Sequence, residues 1–218
     1  MIDLIRLTVV LTLISCGASL LIAVTNAKTI DRRMQQEREA QQSALQQVMP
    51  KGITVTEKKF KLDSESDSIP YWQGTSGSDT VYAFRVESRG YSSTIKYYVS
   101  TTVDGTIIGM TVLDQSETPG LGSRVQETIS KKYIWNGLLS PKEKTAPWFS
   151  EQFKGISINK PIEIEKGKGE WHSLSDATRT SLLKENGITA ITGSTISTRA
   201  VTSGLTKKAQ KYLKTIRG

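Results

Sequence analysis

Cysteine and histidine are almost absent: the 218 residues hold one of each, Cys16 and His172. A lone cysteine excludes an internal disulfide and leaves any redox chemistry to a bound cofactor rather than a thiol pair. No Cys/His cluster falls at metal-ligand spacing, so a metal or iron–sulfur centre built from this chain alone is not expected. His172 follows Trp171 in a polar stretch and reads as a surface residue rather than a catalytic base. With one histidine and no nucleophile elbow, an anchored hydrolase ranks last among candidate functions. Compact basic blocks interleaved with aromatics are missing too. The net charge of +8 comes from lysines and arginines spread along the chain, which describes a solvated basic surface and makes nucleic acid an unexpected partner.

Charge itself is absent from Leu7 to Val24, a run rich in Leu, Ile and Val. At about 1.5 Å rise per residue the run approaches the ~30 Å hydrocarbon core of a bilayer, and Thr25 to Ala27 lengthen it. The expectation is a retained single-pass anchor over residues 1–27. A cleaved secretory peptide is one alternative, although the run is longer than a typical signal core and lacks a clear small-x-small site at its end. Lipidation is the other: Leu13-Ile14-Ser15-Cys16 is similar to a lipoprotein box, but mostly apolar residues continue past Cys16 where a polar tether normally begins. Arg6 precedes the span and Lys28, Arg32, Arg33 and Arg38 follow it. A literal positive-inside count therefore puts the large domain in the cytoplasm.

Residues 28–50 read as a helical stalk, with Ile30, Met34, Ala40, Ala44, Leu45 and Val48 at loose helical intervals before Pro50. Residues 51–218 form the main domain. Asp63 to Asp79, rich in Ser, Asp and Gly, reads as an exposed loop anchored only by Tyr71 and Trp72. Alternation then marks three strands, through Tyr82, Phe84 and Val86, through Ile95, Tyr97, Val99, Thr101 and Val103, and through Ile108, Met110 and Val112. Asp104-Gly105 suits the tight hairpin between the last two. Val125, Ile129 and Tyr133 suggest a helix, Ile162 and Ile164 a short strand, and Ile188 to Ile191 another. The predicted class is α+β: an antiparallel sheet with packed helices, preceded by one N-terminal transmembrane helix.

Two segments carry chemistry. Thr192, Ser194, Thr195, Ser197 and Thr198 crowd, with Gly193, around the start of a helix whose Val201, Leu205, Ala209, Tyr212, Leu213 and Ile216 form one apolar face and whose Lys207, Lys208, Lys211 and Lys214 fill much of the rest. Hydroxyls and free amides at a helix start suit a phosphate; they also suit an ordinary N-cap that binds nothing. The second segment is Glu117-Thr118-Pro119-Gly120-Leu121-Gly122-Ser123-Arg124. Pro119-Gly120 fits the centre of a type II turn, and Gly122 allows the backbone to approach a ligand closely. By itself this is a surface turn ahead of a helix.

Together the two segments say more. The string from Gly193 to Val201 resembles the flavinylation site of FMN-binding domains, whose pattern is Asp-x-x-(Ser/Thr)-Gly-Ala-(Thr/Ser) and in which a threonine hydroxyl is esterified to the FMN phosphate. By position Thr195 is the implied attachment residue, while Thr189 replaces the family Asp and Ser194 the family Ala, the latter a rival hydroxyl. Glu117-Thr118-Pro119-Gly120-Leu121-Gly122 resembles the second hallmark of the same domain, about 70 residues earlier. Gly90-Tyr91, Ile95, Trp148, Phe153 and Lys154 also resemble family positions. The resemblance covers most of the chain and is to the G-subunit family of the Rnf electron-transport complex. The C-subunit family of the sodium-pumping NADH:quinone oxidoreductase, and a tethered module without flavin, are the alternatives.

The resemblance implies an electron-carrying flavoprotein subunit of a membrane-bound, ion-translocating oxidoreductase complex of the ferredoxin:NAD type. Its cofactor is covalent FMN on Thr195, surrounded by Glu117, Thr118, Gly120, Leu121, Gly122, Gly193, Ser194, Ile196 and Ser197, with no catalytic residue or metal ligand of its own. Arg124 or lysines are candidates for stabilising the phosphate or the reduced flavin. Implied partners are the other membrane and redox subunits, a flavin transferase and the lipid bilayer. The implied location is a bacterial or archaeal cell membrane, with the large C-terminal domain extracytoplasmic.

Overall fold

A computed structural model describes residues 2–62, 67–76, 79–129 and 147–217, and the chain divides into two compact units, Met1–Gln42 and Ser43–Gly218. Helix α1 runs over Ile2–Val48. It holds an 18-residue window of mean hydropathy 2.4, none of it buried, and is long and apolar enough to cross a membrane. Its threonines do not interrupt it. Thr8, Thr12 and Thr25 donate their hydroxyls to the carbonyls of Leu4, Thr8 and Leu21 at 2.8–2.9 Å, so these polar groups are satisfied within the helix.

Five strands form one antiparallel sheet in chain order: β1 (Thr54–Lys61), β2 (Ser68–Ser76), β3 (Asp79–Arg89), β4 (Thr94–Thr102) and β5 (Ile107–Asp114). The three alternating runs are β3, β4 and β5. The supposed loop before them is corrected by β2, which pairs along both edges, Tyr71 facing Lys58 on one side and Phe84 on the other. Its aromatic pair supplies the packing that its serines and glycine lack. Tyr71 meets Phe60 edge-on with centroids 5.8 Å apart, and Trp72 meets Tyr98 at 5.1 Å.

Period-two alternation sends Phe84, Val86, Tyr97 and Val99 to one face of the sheet, where they join Leu205, Ala209 and Leu213 in the main core. Val81, Ala83 and Tyr98 point the other way and are covered by Ala44, Val48 and Met49. The end of α1 therefore belongs to the second unit. At the β4–β5 connection Gly105 takes φ +81 and donates its N–H to Thr102 O at 3.0 Å, while Asp104 keeps a negative φ. The turn is thus a longer loop closed by a left-handed glycine, with a register shift beside it at Ser100/Thr101, rather than a two-residue primed turn.

Of the helix expected through Val125, Ile129 and Tyr133, the described residues hold a short 3-10 segment, Gly122–Gln126. Val125 is buried, Ile129 lies past its end and Tyr133 falls outside the described residues. Beyond it come α2 (Trp148–Glu151), β6 (Glu163–Glu165), α3 (Asp176–Lys184) and β7 (Gly187–Thr189), with β6 and β7 paired in parallel. The amphipathic C-terminal helix is α4 (Thr195–Ser203), a π-helical turn (Gly204–Ala209) and α5 (Gln210–Arg217). At that turn the helix presses on the sheet: a Cβ at Gly204 would collide with Ser88 Oγ and Tyr97 OH. The Tyr97 hydroxyl donates to Val201 O at 3.1 Å, and burial pushes its pKa up, which keeps it a donor.

Candidate functional site

The turn from β7 into α4 is built by its own small residues. Gly193 adopts φ +77, a left-handed conformation that suits glycine, and Ser194 N–H donates to Ile191 O at 2.9 Å. Thr198 locks the turn from inside the helix: its hydroxyl donates to Ser194 O and accepts from Ile191 N–H, each at 3.1 Å. Ser194 occupies the N-cap position but its side chain makes no capping bond. Its hydroxyl instead donates to Ser197 Oγ at 2.9 Å, and Ser197 donates onward to Glu117 Oε2 at 2.6 Å.

The ordinary capping reading therefore fails here. Among the described residues, the backbone N–H groups of Thr195, Ile196 and Ser197 have no protein acceptor. An uncapped first turn presents unpaired donors and the positive end of the helix dipole. Thr195 itself is half-buried, and its hydroxyl makes no hydrogen bond among the described residues. The hydroxyls of Ser194 and Ser197 are committed to protein partners.

Glu117 gathers the rest of the site. Its buried carboxylate accepts the backbone N–H of Tyr91 at 3.1 Å, Ser92 at 3.0 Å and Ser93 at 2.8 Å, besides the Ser197 hydroxyl. Burial alone would raise its pKa, but the Ser197 hydroxyl and those three amides together hold it below the ordinary carboxylate value. It is thus a charged knot joining the 90–93 turn, the 117–122 loop and α4. Gly122 is also required by this knot: a Cβ there would lie 2.6 Å from Glu117 Oε2 and 2.7 Å from Ser197 Oγ. Gly120, at φ +74, makes the expected turn after Pro119, closed by Leu121 N–H to Thr118 O at 3.1 Å.

Between these segments lies a cavity of about 440 Å³, bordered by Glu117, Thr118, Leu121 and Gly122 on one side, by Gly193 to Ser197 on the other, and by Tyr91. Of the residues expected at the site, only Gly120 does not line it. Tyr91, Leu121 and Ile196 are 68%, 44% and 54% exposed, so the rim is apolar while the floor is polar. The volume lies in the range of small-molecule sites. Tyr91 was legible in the sequence only as part of Gly90-Tyr91, and no sequence signal marked the amides of Ser92 and Ser93.

Arg124, suggested by the sequence, and Thr189, the departure from the family pattern, both lie off the cavity wall. Arg124 pairs with Glu170 at 2.6 Å and Glu127 at 2.8 Å and lies over the Trp148 ring, so its charge is already matched. Thr189, at the departure from the family pattern, is fully buried and bonds Gln152 Oε1 through both N–H and hydroxyl, at 2.9 and 3.2 Å.

An uncapped helix start, a hydroxyl unpaired among the described residues and an exposed apolar rim thus border one cavity of an α+β domain. The chain belongs to the FMN-binding domain family, whose model matches residues 90–210. Over 95% of its length it is 26% identical to the G subunit of the Na(+)-translocating ferredoxin:NAD(+) oxidoreductase complex of Acetobacterium woodii, covering 90% of that protein. It is 32% identical, over 56% of its length and 62% of the relative, to the G subunit of the ion-translocating oxidoreductase complex of Vibrio atlanticus. The fold resembles the crystal structure of the C subunit of Na(+)-translocating NADH-quinone reductase from Parabacteroides distasonis, with a TM-score of 0.54 at 17% identity, covering 86% of this chain and 97% of the other.

Proposed function

We propose that this chain is the electron-carrying flavoprotein subunit of a membrane-bound, ion-translocating oxidoreductase complex of the ferredoxin:NAD type, with FMN phosphoester-linked to Thr195. The observation that carries the linkage is the Thr195 hydroxyl, unpaired among the described residues at an uncapped helix start within the cavity. FMN supplies a redox-active isoalloxazine ring. The amides of Thr195, Ile196 and Ser197 would bind its phosphate, aided by the α4 dipole. Tyr91, Leu121 and Ile196 would flank the ring and keep water from its apolar edge, and Glu117 holds the three segments in place without facing the ligand as a free charge. Ser194 and Ser197, already hydrogen-bonded, are poorer acceptors than Thr195.

Intact mass of the protein from its native membrane tests this directly: an added mass equal to FMN less water is expected. Thr195→Ala is expected to abolish the modification and the in-gel fluorescence, whereas Ser194→Ala keeps both. A flavin adduct that persists in Thr195→Ala would remove Thr195 from the site.

In this reading residues 1–27 anchor the chain in a lipid bilayer, residues 28–50 form the stalk and residues 51–218 bind the flavin. The other membrane and redox subunits and a flavin transferase are the partners. The large domain lies on the extracytoplasmic side, since long domains translocate despite flanking basic residues. Protease treatment of inverted vesicles is expected to spare the C-terminal domain; digestion without detergent would reverse the orientation.

A further inference from the structure

Two polar links among the described residues tie the loop-and-turn segment 117–126 to the turn that carries Thr195. The inner one is the bond from Ser197 to Glu117, at 2.6 Å. The outer one runs through Glu170, which belongs to neither segment. Its carboxylate takes a two-pronged ion pair from Arg124, Nη1 to Oε1 at 2.6 Å and Nη2 to Oε2 at 2.8 Å. Oε1 also accepts the backbone N–H of Thr192 at 3.1 Å. Arg124 Nε donates to Glu127 at 2.8 Å, and the guanidinium lies 5.9 Å from the centre of the Trp148 ring. An exposed ion pair would constrain little. This one is bidentate, its Glu170 side chain is 12% exposed, and it shares an oxygen with a backbone amide, so it fixes geometry as well as charge.

We infer that Glu170 is a positioning residue for the Thr195 acceptor: by joining Arg124 to Thr192 N–H it sets the turn that holds the Thr195 hydroxyl in the cavity. The inference rests on the reading of Thr195 as the attachment site. Glu170 also neutralises Arg124, which leaves recognition of a phosphate to amides and hydroxyls.

The test follows attachment to the full-length apo chain by a flavin transferase supplied with a flavin dinucleotide, whose pyrophosphate bond breaks as the Thr195 Oγ–P bond forms and a nucleoside monophosphate leaves; it is read by intact mass, alongside amide hydrogen exchange. Glu170→Ala is expected to lower turnover at least tenfold with the KM for the chain within twofold. Exchange should quicken at Ile191, Ser194 and Thr198, whose amides are hydrogen-bonded within the turn, while β3 and β4 keep their protection. Glu170→Gln keeps an oxygen for Thr192 and is expected to recover part of the turnover. Turnover of Glu170→Ala within twofold of the unsubstituted chain overturns the inference, as does exchange that quickens equally in β3 and β4, which would make Glu170 a general stabiliser. If the unsubstituted chain stays unmodified by a transferase active on another substrate, the flavin reading fails instead. The exchange at Ile191, Ser194 and Thr198 then still decides whether Glu170 holds the turn.

Discussion

Gly120 and Gly122, two residues apart, are glycine for different reasons, and their substitutions should separate backbone strain from steric conflict. At Gly120 a Cβ meets nothing within 4 Å, and only the φ of +74 resists it, a cost of about 1 kcal/mol. At Gly122 the same atom would meet the Glu117 carboxylate and the Ser197 hydroxyl at 2.6 and 2.7 Å. Neither can retreat easily, because Glu117 is held by three backbone amides. Gly122→Ala is therefore expected to cost about 2–3 kcal/mol and to reduce flavin attachment, whereas Gly120→Ala keeps attachment near normal. Thermal melting of the apo protein and intact mass after transferase treatment check the pair. Equal losses from both would mean that the Glu117 knot does not govern the loop.

The C-terminal helix shows what the sequence made legible among the elements and what it hid. Val201, Leu205, Ala209 and Leu213, at spacing four, all sit in the main core, so the apolar stripe was readable. The π-helical turn was not, because it depends on Tyr97 and Ser88 arriving from β3 and β4. The strands obeyed the same rule: β3, β4 and β5 alternate because each packs a face on the main core. All of β1 except Phe60 is exposed, and β2 mixes Ser, Gly and Pro with its aromatics, so period two had little to act on. At the site, Thr195 and the Glu117 loop were legible through their motifs, whereas Glu170 is an isolated acid made relevant only by packing. Gly204→Ala is expected to cost at least about 2 kcal/mol, since its Cβ would strike the Ser88–Tyr97 pair. A melting temperature unchanged by the substitution would show that the helix can lift from the sheet freely.

At the scale of the whole molecule, α1 runs over Ile2–Val48, yet the second compact unit begins at Ser43, inside that helix. Ala44, Val48 and Met49 are at most 7% exposed and cover Val81, Ala83 and Tyr98. Ser100 Oγ donates to Val48 O, and Thr111 Oγ1 meets Gln47 Oε1 at 3.4 Å. A Cβ on Gly109 would come within 2.9 Å of Val48 O, so the helix end lies directly on β5. The last residues of α1 and Met49 thus act as a lid on the second face of the sheet. Burying side chains the size of Val48 and Met49 contributes roughly 3–6 kcal/mol together, a large fraction of the ~5–15 kcal/mol that stabilises a typical domain. A soluble form starting at Ser43 is therefore expected to melt cooperatively near the temperature of the full-length chain. One starting at Lys51 should melt at least ~10 °C lower, or aggregate through the uncovered sheet face. Differential scanning calorimetry of the two forms decides between them, and equal melting temperatures would reduce residues 43–50 to a passive tether.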